Sequence, residues 1–272
     1  MVARLGLGYL GQALSSAEIV ATLFAAMRPG IDRLVCSPGH YVIAFYAAAA
    51  EVGLIPAELL DDYGQDGAAL EAIGSERSPV FDWTGGSLGQ GLSAAAGFAI
   101  ADRLTGRGGR VFAVLSDGEL EEGQVWEAAM FAAHHRLGRL TVLVDANNSQ
   151  VDGPVDTVMT IEPVAAKWQS FGWIVAEVDG HDVRALAAAI SGADGGTRPT
   201  VIVCRTSTRR GLENSLPPAA DGHFIKLPSG LTERAIAELS GAPAPLPDRP
   251  EAVRSGAGRL GAPAPGDRLP QR

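Results

Sequence analysis

Only two cysteines, Cys36 and Cys204, occur among 272 residues. That excludes a disulfide framework and a cysteine-rich zinc site, and it fits a reducing compartment. Positive charge is also scarce: 22 Lys and Arg stand against 31 Asp and Glu, a formal net charge of −9. A phosphate backbone is held mainly by Lys and Arg, so no nucleic-acid partner is expected. No stretch approaches the roughly 18 uninterrupted apolar residues of a membrane helix. The longest candidate, residues 41–50, stops at Glu51. The amino-terminal region does not read as a secretory signal, because Arg4 stands alone and Gly6, Gly8, Gly11, Gln12 and Glu18 interrupt its apolar run. These absences lead to an expected soluble, cytoplasmic protein with no membrane partner.

What is present is a large apolar fraction, 46%, enough for a substantial core and incompatible with global disorder. Residues 111–115, 140–144, 173–178 and 200–204 are short apolar runs rich in Val and Ile. Such runs suit parallel strands covered on both faces. Helical patterns lie between them at residues 122–136, 162–171 and 183–191, and earlier ones at 15–27, 41–53, 56–63 and 90–104. Ser15 followed by Glu18 has capping-box spacing and marks the start of the first of these. Strands alternating with helices predict an α/β fold, a mostly parallel sheet with helices on both faces. No internal repeat is visible. From Gly241 the composition changes: residues 241–272 hold seven Pro and five Gly. The expected organisation is one domain over residues 1–240 and a Pro/Gly-rich disordered tail over 241–272.

Gly6-Leu7-Gly8-Tyr9-Leu10-Gly11 spells a dinucleotide-binding fingerprint. That motif needs a preceding buried strand within a βαβ unit, and only residues 1–5 precede it. It reads instead as a glycine-rich turn entering a helix.

Chemistry is expected past the carboxyl ends of strands in such a sheet. Ser116-Asp117-Gly118-Glu119-Leu120-Glu121-Glu122-Gly123 follows one predicted strand, and Asn147-Asn148 follows the next, thirty residues after Asp117. If those strands are parallel neighbours, both side chains reach one sheet edge. A carboxylate, an amide oxygen and a nearby carbonyl, with Ser149 the candidate, are hard ligands suited to Mg²⁺ or Ca²⁺. Few protein ligands imply further positions for a phosphorylated partner. Gly118 permits close backbone approach, and a helix starting near 120–122 offers N–H groups to an anion. His134-His135 carry no comparable signal: neighbours on a helix do not face each other, so surface or interface packing is expected.

The pattern resembles the thiamine-diphosphate motif, and more narrowly the amino-terminal subunit of split transketolases. Cys36-Ser37-Pro38-Gly39-His40 resembles one family block, and Thr84-Gly85-Gly86-Ser87-Leu88-Gly89-Gln90-Gly91-Leu92 resembles another. Trp126-Glu127-Ala128, residues 144–153, Phe171-Gly172-Trp173 and Val178-Asp179-Gly180-His181-Asp182 continue the likeness, which covers roughly residues 8–210. The resemblance implies thiamine diphosphate with Mg²⁺ (or Ca²⁺), the metal held by Asp117, Asn147 and the Ser149 carbonyl. It implies cofactor contacts at Gly86, Ser87, Leu88, Asp117, Gly118, Glu119 and Asn147, with His40, His223 and Glu122 serving the reaction. The implied activity is transfer of a two-carbon ketol unit from a ketose to an aldehyde. The family's proton-relaying glutamate belongs to a pyrimidine-binding domain with no counterpart here. The implied partner is therefore a carboxy-terminal subunit carrying that domain and glutamate, in a heterotetramer. Tyr9 stands where the family has an early histidine, and Ser78-Pro79-Val80-Phe81-Asp82 lacks another, which points to a specialised sugar-type substrate. The rival readings are the alpha-type subunit of a thiamine-dependent 2-oxo acid decarboxylating or acyl-transfer enzyme, and a non-catalytic partner subunit.

Overall fold

A computed structural model describes residues 1–193, 196–216 and 222–241. Its strands are β1 (Leu7–Gly8), β2 (Arg33–Pro38), β3 (Trp83–Gly85), β4 (Val111–Ser116), β5 (Leu140–Ala146), β6 (Ile174–Asp179), β7 (Thr200–Arg205) and β8 (Ile225–Lys226). Six of them form one sheet in the order β3-β2-β4-β5-β7-β6, every pairing parallel. The α/β fold expected from the alternating patterns is the fold observed.

Helices cover both faces: α1 (Val2–Leu5), α2 (Leu10–Ser15), α3 (Ala17–Ala26), α4 (Val42–Glu51), α5 (Gly91–Leu104), α6 (Gly123–His134), α7 (Val155–Val158), α8 (Val164–Ser170), α9 (Val183–Gly192) and α10 (Ser229–Ser240). Side chains alternate across a strand, and the two cores follow that alternation. Phe112 and Val114 of β4 join α3, α4 and α9 in one core. Val111, Ala113 and Leu115 join α5, α6 and α8 in the other. The central strands are therefore apolar over most of their length, with Thr141 and Asp145 the polar positions within β5, because both of their faces are covered.

Several sequence expectations shift. Ser15 does not cap a helix. It is the last residue of α2, α3 starts at Ala17, and the Ser15 hydroxyl donates to Asp145. Residues 56–63 form a 3₁₀ stretch over Ala57–Asp62 rather than an α-helix. Strand β6 is an edge strand with Ile174 41% exposed, so it is not covered on both faces. The glycine-rich opening is a turn, with Gly6 left-handed at φ 70°, leading through β1 into α2. The short strand β1 pairs antiparallel with β8. No described helix is long and apolar enough to cross a membrane. Apart from Gly241, the tail expected at 241–272 lies outside the described residues.

Candidate active site

Strands β4 and β5 are hydrogen-bonded neighbours in register, with Ser116 opposite Asp145. Both strands therefore leave the sheet at the same edge, one into Asp117 and the other into Asn147. Asp117 accepts from its own turn at Gly118 N (2.8 Å) and from Asn148 N (2.5 Å), which binds the two loops together. Asn148 adopts the left-handed conformation, φ 57°, that this tight exit requires.

Asn147 is oriented from below. Its Nδ2 donates to Asp145 Oδ2 (2.9 Å), Tyr41 Oη (3.0 Å) and Ser15 Oγ (3.2 Å). Its Oδ1 accepts from Ser149 N at 2.9 Å. Asp145 is the hub of this network: it also accepts from Ser15 (2.6 Å), Tyr41 (2.9 Å) and Thr206. The structure thus places Asp117 beside the Asn147–Ser149 loop at one edge of the sheet.

Buried acidic groups dominate the electrostatics of this edge. Asp117, Glu119 and Asp145 are all buried, and none forms an ion pair with Lys or Arg among the described residues. Burial first, and Asp145 second, push the Asp117 carboxyl up to about 7. Burial likewise raises Asp145. A buried carboxylate without a countercharge is costly, and proteins meet that cost by protonation or by binding a cation. Among the described residues no group of three His, Cys, Asp or Glu could hold a metal. One carboxylate, one amide oxygen and one carbonyl would suffice for a hard cation that keeps positions for phosphate oxygens. The donor set therefore fits a metal-bridged diphosphate, and a cavity of about 250 Å³ lined by Asp117 and Asn148 opens beside it.

Glu119 is fully buried and joins three segments. Its Oε1 accepts from Gly89 N (2.6 Å) and from Ser37 Oγ, and Ser37 in turn accepts from Gly91 N at 3.1 Å. Oε2 has no partner among the described residues, and burial lifts this carboxyl to about 7. The loop carrying Gly86, Ser87 and Leu88 is thereby fastened to the turn after Asp117, with Gly86 and Ser87 exposed. The helix expected near 120–122 starts at Gly123 instead, and a 3₁₀ turn fills Gly118–Glu121. Exposed Glu122 precedes α6, and its side chain lies where a Cβ on Gly89 would come within 2.9 Å.

His40 and His223 meet although 183 positions separate them, ring centroids 5.4 Å apart. Tyr9 packs on both, at 4.9 and 5.6 Å, and on Phe224 at 5.1 Å. Burial, reinforced by His223, pushes His40 down to about 3, so it is neutral near pH 7. His134 and His135 lie at the far end of α6, edge-on to each other, with His135 also tilted against Phe131.

Sequence reasoning missed Asp145, Tyr41, Ser15, Ser37 and Gln12. Asp145 left a signal, a lone charge inside the apolar run of β5. Charged residues are almost never fully buried without partners.

A parallel α/β sheet with a carboxylate and an amide converging at its carboxyl edge defines a diphosphate-binding class of domain. The family model "Transketolase, thiamine diphosphate binding domain" matches residues 1–225, and the chain belongs to this family. It is 37% identical, over 88% of its length and 90% of the relative's, to the 6-deoxy-6-sulfo-D-fructose transketolase subunit SqwG of Clostridium sp. (strain MSTE9). It is 30% identical, over 85% and 87%, to an apulose-4-phosphate transketolase subunit of Actinobacillus succinogenes. A transketolase from Pichia stipitis in complex with xylulose 5-phosphate superposes with a TM-score of 0.73 at 24% identity. This chain aligns over 90% of its own length and 43% of that protein's.

Proposed function

We propose that this chain is the diphosphate- and metal-binding half of a two-subunit transketolase-type transferase, acting on a specialised ketose donor. The observation that carries the reading is Asp117, a buried carboxyl raised to about 7 with no cationic partner among the described residues, tied by hydrogen bonds to the Asn147–Asn148 exit of the neighbouring strand.

Asp117, Asn147 and the Ser149 carbonyl would hold Mg²⁺, and the Gly118 backbone would lie against the diphosphate. Thiamine diphosphate supplies, when bound, the carbon nucleophile and electron sink for ketol transfer. The chain's own residues bind and orient. Asp145 holds the Asn147 amide by its nitrogen, so the oxygen, which accepts from Ser149 N, keeps a second lone pair for the ligand. Glu119 holds the loop of Gly86 and Leu88 against the same edge. Neutral His40 offers a nitrogen lone pair and an N–H to the donor sugar. Glu122, exposed at the start of α6, is placed to meet a partner chain.

A partner carrying the pyrimidine-binding domain and its glutamate, in a heterotetramer, completes the site. The names of two relatives, each a transketolase subunit, support that division of labour. Those names specify a sulfo-fructose and apulose 4-phosphate, which supports an unusual donor, as does Tyr9 in place of an imidazole. The buried free thiols of Cys36 and Cys204 suit a reducing cytoplasm.

The test is calorimetry on the assembled two-subunit complex. Thiamine diphosphate should bind only with Mg²⁺, and Asp117→Asn should weaken it more than 100-fold while the metal-free chain keeps its melting temperature. Undiminished binding by Asp117→Asn would overturn the assignment. Turnover of pyruvate but of no ketose would replace it with the 2-oxo acid reading.

A further inference from the structure

Gln12 sits in α2, on the glycine-rich opening, and its residue is 1% exposed. Its Nε2 lies 2.7 Å from Nδ1 of His223, a residue 211 positions away that is itself 7% exposed. The pairing is enforced by packing. A Cβ on Gly11 would fall 1.6 Å from the Gly222 carbonyl oxygen, so α2 rests directly on the backbone beside His223.

Among the described residues Gln12 Oε1 has no partner, and the contact with His223 is the one hydrogen bond that orients this amide. Turning the amide over would leave two buried N–H bonds orphaned in place of one N–H and one carbonyl oxygen. Buried N–H groups without partners are the rarer of the two defects. The nitrogen therefore faces the imidazole. An amide N–H can only donate, so Nδ1 must present its lone pair, and a neutral imidazole then carries its proton on Nε2.

We propose that Gln12 is a positioning residue that holds His223 as the Nε2–H tautomer, making this imidazole a hydrogen-bond donor to an acceptor oxygen in the site. The inference rests on the reading above for what the oxygen belongs to, a phosphate or a sugar, but the tautomer itself does not. It also supplies a reason for an amide at position 12: a carboxylate there would place the proton on Nδ1 instead.

The experiment is a long-range ¹H–¹⁵N spectrum of the full chain labelled at histidine, at pH 8, with His223→Phe identifying the signal. The wild type should show Nε2 protonated and Nδ1 unprotonated. Gln12→Glu should move a proton to Nδ1, and Gln12→Met should give averaged nitrogens. A proton on Nδ1 in the wild type, or a Gln12→Glu spectrum identical to wild type, overturns the proposal. If a variant does not fold, the wild-type spectrum alone decides. Failure of the cofactor reading would leave these spectra unchanged and appear only as absent binding in the calorimetry of the complex.

Discussion

His40 illustrates how a single side chain records its surroundings. Its pKa falls from 6.5 to about 3 in the fold, mainly because burial disfavours the imidazolium. Below pH 6.5 the unfolded chain takes up a proton that folded His40 refuses. The stabilisation is therefore complete above pH 6.5 and is lost progressively as pH falls toward 3. Between pH 7 and pH 5 this one group should remove up to about 2 kcal/mol of stability. Urea unfolding at the two pH values should show a smaller loss in His40→Asn than in the wild type. The same scale explains Ser15. Its spacing to Glu18 reads locally as a cap, but its hydroxyl is claimed by a carboxylate 130 positions away, which no local pattern records.

At the scale of elements, Glu119 connects the end of β2, the loop ahead of α5 and the turn after β4. Two donors converge on one of its oxygens, and removing the acceptor would strand both Ser37 Oγ and Gly89 N in a dry interior. A buried donor without a partner costs about 1–3 kcal/mol. Glu119→Leu should lower stability by about 2–5 kcal/mol. Glu119→Gln, which keeps an oxygen in place and removes only a charge that burial already opposes, should cost less than about 1.5 kcal/mol. The denaturant midpoints of the two variants give the comparison. An equal loss in both would mean that the carboxylate's charge, rather than its acceptor oxygen, joins these segments. Strands β4, β5 and β7 were legible because each is a Val- and Ile-rich run buried on both faces. Strand β2 was not: only Leu34, Val35 and Cys36 stand between Arg33 and Ser37-Pro38. Strand β3 is three residues long. Both are strands by virtue of pairing with distant neighbours, and both deliver residues to the site.

For the whole molecule, the legible part of the site was the pair of exits at Asp117 and Asn147, since each follows a strand that could be read. The shell behind it was illegible, because Asp145, Tyr41, Ser15 and Gln12 come together only through long-range packing. On the proposed division of the site between two subunits, the isolated chain is expected to show no ketol transfer with thiamine diphosphate and Mg²⁺. Activity should appear on titration with the partner and saturate at one partner per chain. Turnover by the isolated chain, followed in a coupled aldehyde assay, would contradict this.

The two-residue ladder between Leu7–Gly8 and Ile225–Lys226 has a temporal consequence. A ribosome delivers the amino end first, so α2 must wait for more than two hundred further residues before the segment 222–226 that packs on it emerges. All six strands of the main sheet are made by Arg205, whereas the contacts of Tyr9 and His40 with His223 can form only once that late segment docks. A chain halted before residue 222 would therefore contain every strand of the six-stranded sheet and lack both the His40–His223 and the Gln12–His223 contacts.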